Sequence, residues 1–254
     1  MEQKTQPTLS PTVAIIIAGI LIAGAIIYSN SISNRDSKNT DTLTTDTESM
    51  VEVDIKLMDK DDHIRGSITA PVVIIEYADY DCVFCKKFHS TMNQIMKKYD
   101  GKVAWVYRHY PIDKPNARGQ ILHPDAGTKA QAAECVASLG GNDAFWKYTD
   151  ALFNTIPQAD PSSLLQLPIE AKKIGIDEKQ FNDCLSAGTF KDKVEAMFQE
   201  GVTAEVRGTP QSYIALNGSL EFIPVYGAGS YEDISKVIDT LLMSKEVADK
   251  AKAQ

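Results

Sequence analysis

Residues 72–107 read VVIIEYADYDCVFCKKFHSTMNQIMKKYDGKVAWVY, and this stretch decides the fold. Its first four residues are continuously apolar, as is typical of a central strand that is covered on both faces. Apolar side chains then recur at helical spacing over 85–99, and the composition of 103–107 is again that of a strand. The stretch therefore predicts a β-α-β unit in which a Cys-x-x-Cys pair, Cys82 and Cys85, lies at the start of the helix.

The predicted position of this pair gives its two sulfurs different chemistry. Cys82 is expected at the positive end of the helix dipole, near unpaired backbone N–H groups, and both features stabilise a thiolate. Cys85 falls on the buried side of the helix one turn later, within reach of a mixed disulfide at Cys82. The spacing therefore favours Cys82 as a nucleophile and Cys85 as the residue that releases it.

Two other interpretations of the pair are half of a zinc site and a plain structural disulfide. A zinc site made of four cysteines requires a second closely spaced pair. The chain has only four cysteines, and the other two, Cys135 and Cys184, are far apart. The sequence context therefore favours redox chemistry over both alternatives.

The flanking sequence predicts the elements that complete the sheet. Apolar and polar residues alternate over 51–57, which predicts a half-buried strand at a sheet edge. Residues 114–206 have a mostly helical pattern and predict an inserted helical subdomain. Strands over 212–216 and 220–223 are joined by Asn217-Gly218, a hairpin signal because this dipeptide tolerates positive φ at both turn positions.

The N-terminal region carries a different pattern. Residues 13–28 are an unbroken run of sixteen apolar or small residues, slightly short for a hydrocarbon core of about 30 Å. We interpret 1–28 as a membrane anchor or a cleaved signal segment, with a buried soluble helix as a third alternative. Residues 29–50 are dominated by polar residues and predict a flexible linker, which leaves 51–254 as the folded domain.

Length and charge narrow the class of protein. A chain of 254 residues, 43% of them hydrophobic, can bury one substantial core without depending on disulfides for stability. Its formal net charge of -8 argues against a phosphate-binding surface, which needs clustered Lys and Arg. Nucleic acid is therefore not expected among its partners.

The segment 76–88, EYADYDCVFCKKF, resembles the active-site segment of the DsbA-like thioredoxin family. The likeness extends to 107–111, to the Ala-rich helix around Cys135, to 181–185, and to 208–210. It covers roughly residues 61–243. The resemblance implies an α/β protein of thioredoxin-like fold with an inserted helical subdomain.

Three further site residues follow from this resemblance. Pro210 matches the family's cis-proline facing the cysteines, and Thr209 would offer backbone groups to an extended substrate peptide and a hydroxyl near the sulfurs. Glu76 matches the buried acid that assists proton transfer to or from Cys85. The alternative for Glu76 is a strand carboxylate that faces solvent, although a polar residue that ends an apolar strand usually has a partner or a task.

The dipeptide between the cysteines departs from the family pattern. The family commonly has Pro after the first cysteine, and its strongly oxidising members have His before the second, whereas this chain has Val83-Phe84. Neither side chain can donate a hydrogen bond to the thiolate. Asp79 and Asp81 are expected to oppose the thiolate charge. We therefore expect a pair less oxidising than the strongest family members.

The remaining cysteines and the histidines are expected to be structural. Cys135 and Cys184 are predicted to form a disulfide, as in an oxidising compartment, with two buried free thiols as the alternative. His63, His109 and His123 have no second ligand at a metal-like spacing, and His89, one turn after Cys85, lacks a fourth ligand, so no metal site is expected.

Together these features predict a thiol-disulfide oxidoreductase that lies outside the cytoplasm and exchanges disulfides with protein thiols. We expect it to act mainly as an oxidase. Its expected partners are client proteins and a membrane redox partner of the quinone-linked kind, with the N-terminal helix holding it at the membrane. No organic cofactor is required. The alternatives are a disulfide reductase or isomerase, and a non-catalytic metal-binding or binding module of the same fold.

Overall fold

The computed structural model describes residues 50–252. The predicted anchor or signal segment, 1–28, and nearly all of the predicted linker lie outside this range. Among the helices of residues 50–252, none combines the length and the apolar character that a membrane span requires.

The described chain forms a six-stranded sheet with the order β1-β6-β5-β3-β4-β2. The strands are β1 (Val51–Glu52), β2 (His63–Gly66), β3 (Val72–Ala78), β4 (Val103–His109), β5 (Gln211–Leu216) and β6 (Glu221–Tyr226). β3 is parallel to β4 and antiparallel to β5, and every residue of β3 and β4 is buried. The predicted central strand is thus confirmed, and its two-sided burial explains its continuous apolar sequence.

The described residues also form six helices: α1 (Val83–Lys98), α2 (Ala126–Asn154), α3 (Leu167–Lys173), α4 (Glu178–Ser186), α5 (Lys191–Thr203) and α6 (Tyr231–Lys252). A 3-10 turn over Pro161–Gln166 precedes α3. Side chains of β3 alternate between two cores: Val72 and Ile74 pack with α1, and Val73 and Ile75 pack on the opposite face. Glu76 has the same parity as Ile74, so its carboxyl points toward the α1 side.

Helices α2 to α5 lie between β4 and β5 in the chain and form the predicted helical insertion. Residues 114–125 contain no helix, so the helical part begins later than the sequence pattern indicated. α2 changes direction at Gly141, whose φ of 76° lies in the left-handed region that glycine adopts without steric cost. The sulfurs of Cys135 and Cys184 are bonded, which joins α2 to α4.

Two local features differ from expectation. β1 ends at Glu52, because the chain then turns tightly: the N–H of Ile55 donates to the carbonyl of Val53 at 2.8 Å. In the β5–β6 hairpin only Gly218 has positive φ. The Asn217 side chain instead donates to the carbonyls of Ile68 and Ala70, at 2.8 and 2.9 Å, and this tie to the loop before β3 fixes its conformation.

Replacing Cys135 and Cys184 together with Ala should lower the free energy of unfolding by about 2 to 5 kcal/mol, because the bridge closes a long loop and restricts the unfolded chain. The residues are separated by 49 positions. Urea denaturation of the protein with and without this change, each carrying Cys82→Ala and Cys85→Ala so that no free thiol can exchange, measures the difference. An unchanged midpoint would contradict a structural role for the bridge.

Candidate active site

The start of α1 places Cys82 where the sequence predicted it. Cys82 is the N-cap residue, with φ of −81° and ψ of 118°, and α1 begins at Val83. The main chain reaches this point directly from β3, and the N–H of Cys82 donates to the carbonyl of Asp79 at 3.2 Å. The Cys82 thiol donates to the carbonyl of Thr209 at 3.2 Å. Its sulfur is thus held between a helix start and a loop from the other half of the sheet.

The surroundings of Cys82 favour its thiolate. The pKa of Cys82 is lowered to about 6, mainly by a hydrogen bond from Cys85, against the opposing effect of desolvation. Contact with Thr209 and the backbone N–H groups of Cys85 and Phe84 contribute to the same lowering. These N–H groups belong to the first turn of α1, which has no earlier carbonyls to bond. A cysteine with this pKa is largely ionised at neutral pH and is nucleophilic.

The surroundings of Cys85, in contrast, favour its protonated thiol. Its side chain is fully buried on the face of α1 that packs on the sheet, and its sulfur accepts a hydrogen bond from the N–H of Asp79 at 3.5 Å. Burial raises the pKa of Cys85 well above its ordinary value, and the neighbouring Cys82 raises it further. Both cysteines are free thiols in this structure. The pair therefore consists of an ionisable sulfur and a sulfur that holds its proton.

Glu76 is fully buried, so the solvent-facing alternative is wrong. Trp105 donates from Nε1 to Oε2 of Glu76 at 2.8 Å, whereas Oε1 has no hydrogen-bond partner among the described residues. Burial raises the pKa of Glu76 from 4.5 to about 8, although the Trp105 hydrogen bond acts in the other direction. The carboxyl is therefore largely protonated at neutral pH. Its pKa is also close enough to neutral pH for the carboxyl to give up this proton.

Thr209 and Pro210 immediately precede β5 and border the cysteine pair. The peptide bond between them is cis. The Thr209 hydroxyl is buried without a hydrogen-bond partner among the described residues. The five predicted site residues thus come from three segments: the start of α1 with both cysteines, β3 with Glu76, and the loop before β5 with Thr209 and Pro210.

A family profile described as thioredoxin matches residues 58–240, which is most of the chain. The chain belongs to the thioredoxin family. Among solved structures, alpha-DsbA1 of Wolbachia pipientis is 24% identical, with a TM-score of 0.64 over 76% of this chain and 96% of that one. BdbD of Bacillus subtilis, in its oxidised form, is 23% identical, with a TM-score of 0.60 over 76% of this chain and 98% of that one. The fold is therefore the DsbA-like one, with the helical insertion that the sequence predicted.

Curated relatives resemble the chain over a shorter range. It is 27% identical to the Na(+)/H(+) antiporter NhaA 3 of Salinispora tropica over 168 residues, which are 66% of this chain and 24% of that protein. The antiporter NhaA 1 of Mycolicibacterium vanbaalenii gives 25% over 155 residues. The chain spans about a quarter of the length of these relatives. The likeness concerns one segment of them, so their transport activity is not carried over.

Both aspartates near this DsbA-like site have partners that the sequence did not indicate. Asp81 forms an ion pair with Lys129 of α2, and its carboxylate also accepts the N–H of Ala159 at 2.8 Å. Asp79 bonds the Nδ1 atom of His123 at 2.8 Å, and this contact raises the pKa of His123. The expected repulsion between these aspartates and the Cys82 thiolate is therefore largely compensated by partners from the loop and the insertion.

His63 and His109 share a partner that the sequence did not indicate. Their Nε2 atoms lie 2.8 and 3.1 Å from the same oxygen of Glu134, a buried carboxylate of α2. His89, considered above as a metal ligand beside Cys85, instead bonds Asp150 through Nε2 at 2.7 Å. The pairs are far apart in the chain, so no sequence spacing could have revealed them.

Replacing Cys85 with Ala should raise the pKa of Cys82 above about 6, because the hydrogen bond from the Cys85 thiol is the largest of the effects that lower it. Titration of thiolate absorbance in the ultraviolet measures this pKa in the reduced protein. Cys85→Ser is the matched control, since its hydroxyl still donates and should keep the pKa lower than in the Ala variant. Equal pKa values in the two variants would contradict this account.

Replacing Glu76 with Gln should change how stability depends on pH. The folded-state pKa of Glu76, about 8, lies above the ordinary 4.5, so the folded state holds a proton that the unfolded state has lost. Its contribution to stability is complete below pH 4.5 and disappears as the pH rises through about 8. The Gln variant should therefore gain a few kcal/mol relative to the wild type between these values. Denaturation of the two reduced proteins, compared at each pH across this range, tests the sign of the difference in free energy of unfolding. A difference that stays constant with pH would contradict the prediction.

Proposed function

We propose that this protein is a thiol-disulfide oxidoreductase that introduces disulfides into client proteins outside the cytoplasm. The observation that carries the proposal is the asymmetry of the pair: Cys82 has a pKa of about 6 at the start of α1, while Cys85 is fully buried with a raised pKa. A sulfur that leaves readily next to one that keeps its proton is the arrangement that disulfide exchange requires.

The reaction begins from the Cys82–Cys85 disulfide. A client thiolate attacks Sγ of Cys82, a new sulfur–sulfur bond forms, and the bond to Cys85 breaks. Cys85 leaves as a thiolate and takes up a proton, for which the buried carboxyl of Glu76 is the donor, since it is protonated at neutral pH. A second client thiolate then attacks the client sulfur of the mixed disulfide and displaces Cys82. The client has lost two electrons, and the Cys82–Cys85 pair has gained them.

Client binding involves the surface beside the pair. Val83 and Phe84 are each 61% exposed immediately after Cys82, and they present apolar area at the point of attack. Because both lie next to the reactive sulfur, they offer apolar contact area to a client segment that reaches Cys82. The Thr209–Pro210 segment offers backbone groups for an extended client peptide, in the manner of strand addition. This combination selects unfolded protein segments rather than small thiols.

The oxidase direction is favoured by stabilisation of the reduced form. A thiolate stabilised at Cys82 makes the dithiol state more favourable and the disulfide a better oxidant. Repeated turnover then requires an electron acceptor, for which we propose a membrane redox partner of the quinone-linked kind. The bond between Cys135 and Cys184 suits an oxidising compartment. An N-terminal membrane tether would hold the domain near such a partner.

The test uses oxidised protein and a reduced, unfolded client. The wild type should transfer its disulfide, so the client loses two thiols while Cys82 and Cys85 become free. For the variants the reaction is started from the other side, as reduced enzyme mixed with an oxidised client. Cys85→Ala should then accumulate a covalent complex with the client, because Cys82 attacks and nothing releases it, whereas Cys82→Ser should form none. Non-reducing electrophoresis followed by reduction separates these species.

The variant without Cys135 and Cys184 serves as the control, since it keeps the reactive pair and should still transfer disulfides. Absence of a trapped complex with folded Cys85→Ala would contradict the assignment of roles. Net transfer of electrons from the reduced protein to client disulfides, in a glutathione buffer where the wild type stays reduced, would identify a reductase and overturn the oxidase direction.

A further inference from the structure

A second cluster of reactive side chains lies in the described chain, built from His63, His109 and Glu134. His63 opens β2, His109 ends β4, and Glu134 lies in the middle of α2. All three are buried, with exposed fractions of 6%, 1% and 1%. The three side chains come from three elements and meet at one point. Burial of three polar side chains together is unusual, because such groups are more stable in contact with water.

We propose that this cluster binds a divalent transition metal ion of the zinc type through Nε2 of His63, Nε2 of His109 and a carboxylate oxygen of Glu134. Two histidines and one glutamate are a known ligand set for zinc with one position left open. Calcium and magnesium prefer oxygen ligands alone, so the two imidazoles favour a transition metal. The cluster does not include the cysteine pair.

The distances fit this ion. Zinc bonds of about 2.0 to 2.2 Å in a tetrahedral complex place ligand atoms roughly 3.3 to 3.6 Å apart. The histidine nitrogens lie 2.8 and 3.1 Å from the Glu134 oxygen, and the three ligand atoms are all within 4.8 Å of one another. Binding therefore requires the His63 contact to widen by roughly half an ångström or more and the His109 contact by less. It also requires loss of the protons that the imidazoles now share with Glu134.

An ion can reach the cluster from solvent. A groove of about 340 Å³ is lined by His63 and Glu134 together with Asp61, Asp62 and Asn142. Both acidic side chains of this lining already have a cationic partner, since Asp61 pairs with Lys60, which also lines the groove, and Asp62 pairs with Arg108. At the other side of the groove Lys193 of α5 donates to the second oxygen of Glu134 at 2.6 Å.

Lys193 is the residue that opposes metal binding at this cluster. Its ammonium group neutralises the carboxylate that the metal would need, but its side chain is 37% exposed and can turn toward solvent. The Glu134 carboxylate is itself buried, so without this ammonium group its charge lacks compensation unless a metal ion supplies it. Lys193 therefore competes with the metal and sets its affinity, and removing its charge should strengthen binding.

The test uses Co²⁺ as the probe, because a four-coordinate cobalt complex absorbs in the visible range. The protein is first oxidised at Cys82 and Cys85, so that neither thiolate binds the ion. The wild type should bind one equivalent, and Lys193→Met should bind it about tenfold more tightly. His63→Gln and Glu134→Gln should lose the absorption. His123→Gln is the control, because its histidine bonds Asp79 outside the cluster.

Melting temperatures of the same samples give a second readout, since a ligand that binds only the folded state stabilises it. Cobalt should raise the melting temperature of the wild type and of Lys193→Met but not of Glu134→Gln. Failure of both the wild type and Lys193→Met to bind cobalt would overturn the proposal and leave the cluster as a hydrogen-bonded contact. Binding retained in folded His63→Gln would also overturn it. Neither result bears on disulfide exchange, because the oxidised pair takes no part.

Discussion

The unsatisfied N–H groups at the start of α1 are the constraint on which the site depends. A helix that begins directly after a buried strand must have its first donors matched by some acceptor. Here the Cys82 sulfur is one of the groups they stabilise, and its pKa falls accordingly. β3 and β4 fix the position of this helix start, because both strands are buried on both faces and cannot move without exposing the core.

The same burial separates the two cysteines in character. Cys82 keeps an exposed fraction of 6%, whereas Cys85, one turn later in α1, and Glu76 on β3 are fully buried in a region that disfavours charge. Their protons are therefore retained at pH values where Cys82 has lost its own. Two thiols and one carboxyl thus have three different acidities, because burial raises the pKa of Cys85 and Glu76 while hydrogen bonds lower that of Cys82.

Sequence patterns predicted the parts of this architecture that depend on local regularity. The apolar run of β3, the stripe of α1 and the Asn217-Gly218 hairpin each follow from period or turn chemistry, and the resemblance placed Thr209 and Pro210. The partners of the charged groups were not predictable. Lys129 lies 48 positions from Asp81, and Glu134 lies 71 positions from His63. Such contacts depend on how α2 packs against the sheet, which no single-sequence spacing records. β2 was missed because its four residues, HIRG, have no strand-like alternation.

The cis segment at Thr209 and Pro210 follows the helical insertion in the chain, whereas the cysteine pair precedes it. During synthesis the pair therefore emerges first, and the groups that border it arrive only after the whole insertion has been made. β3 likewise cannot pair with β5, its antiparallel neighbour, until β5 has been translated. Long-range strand pairing of this kind is slow to form. The nascent chain thus carries an incomplete cysteine site with one edge of β3 uncovered, and the groups that border Cys82 are added only when the segment leading into β5 is translated.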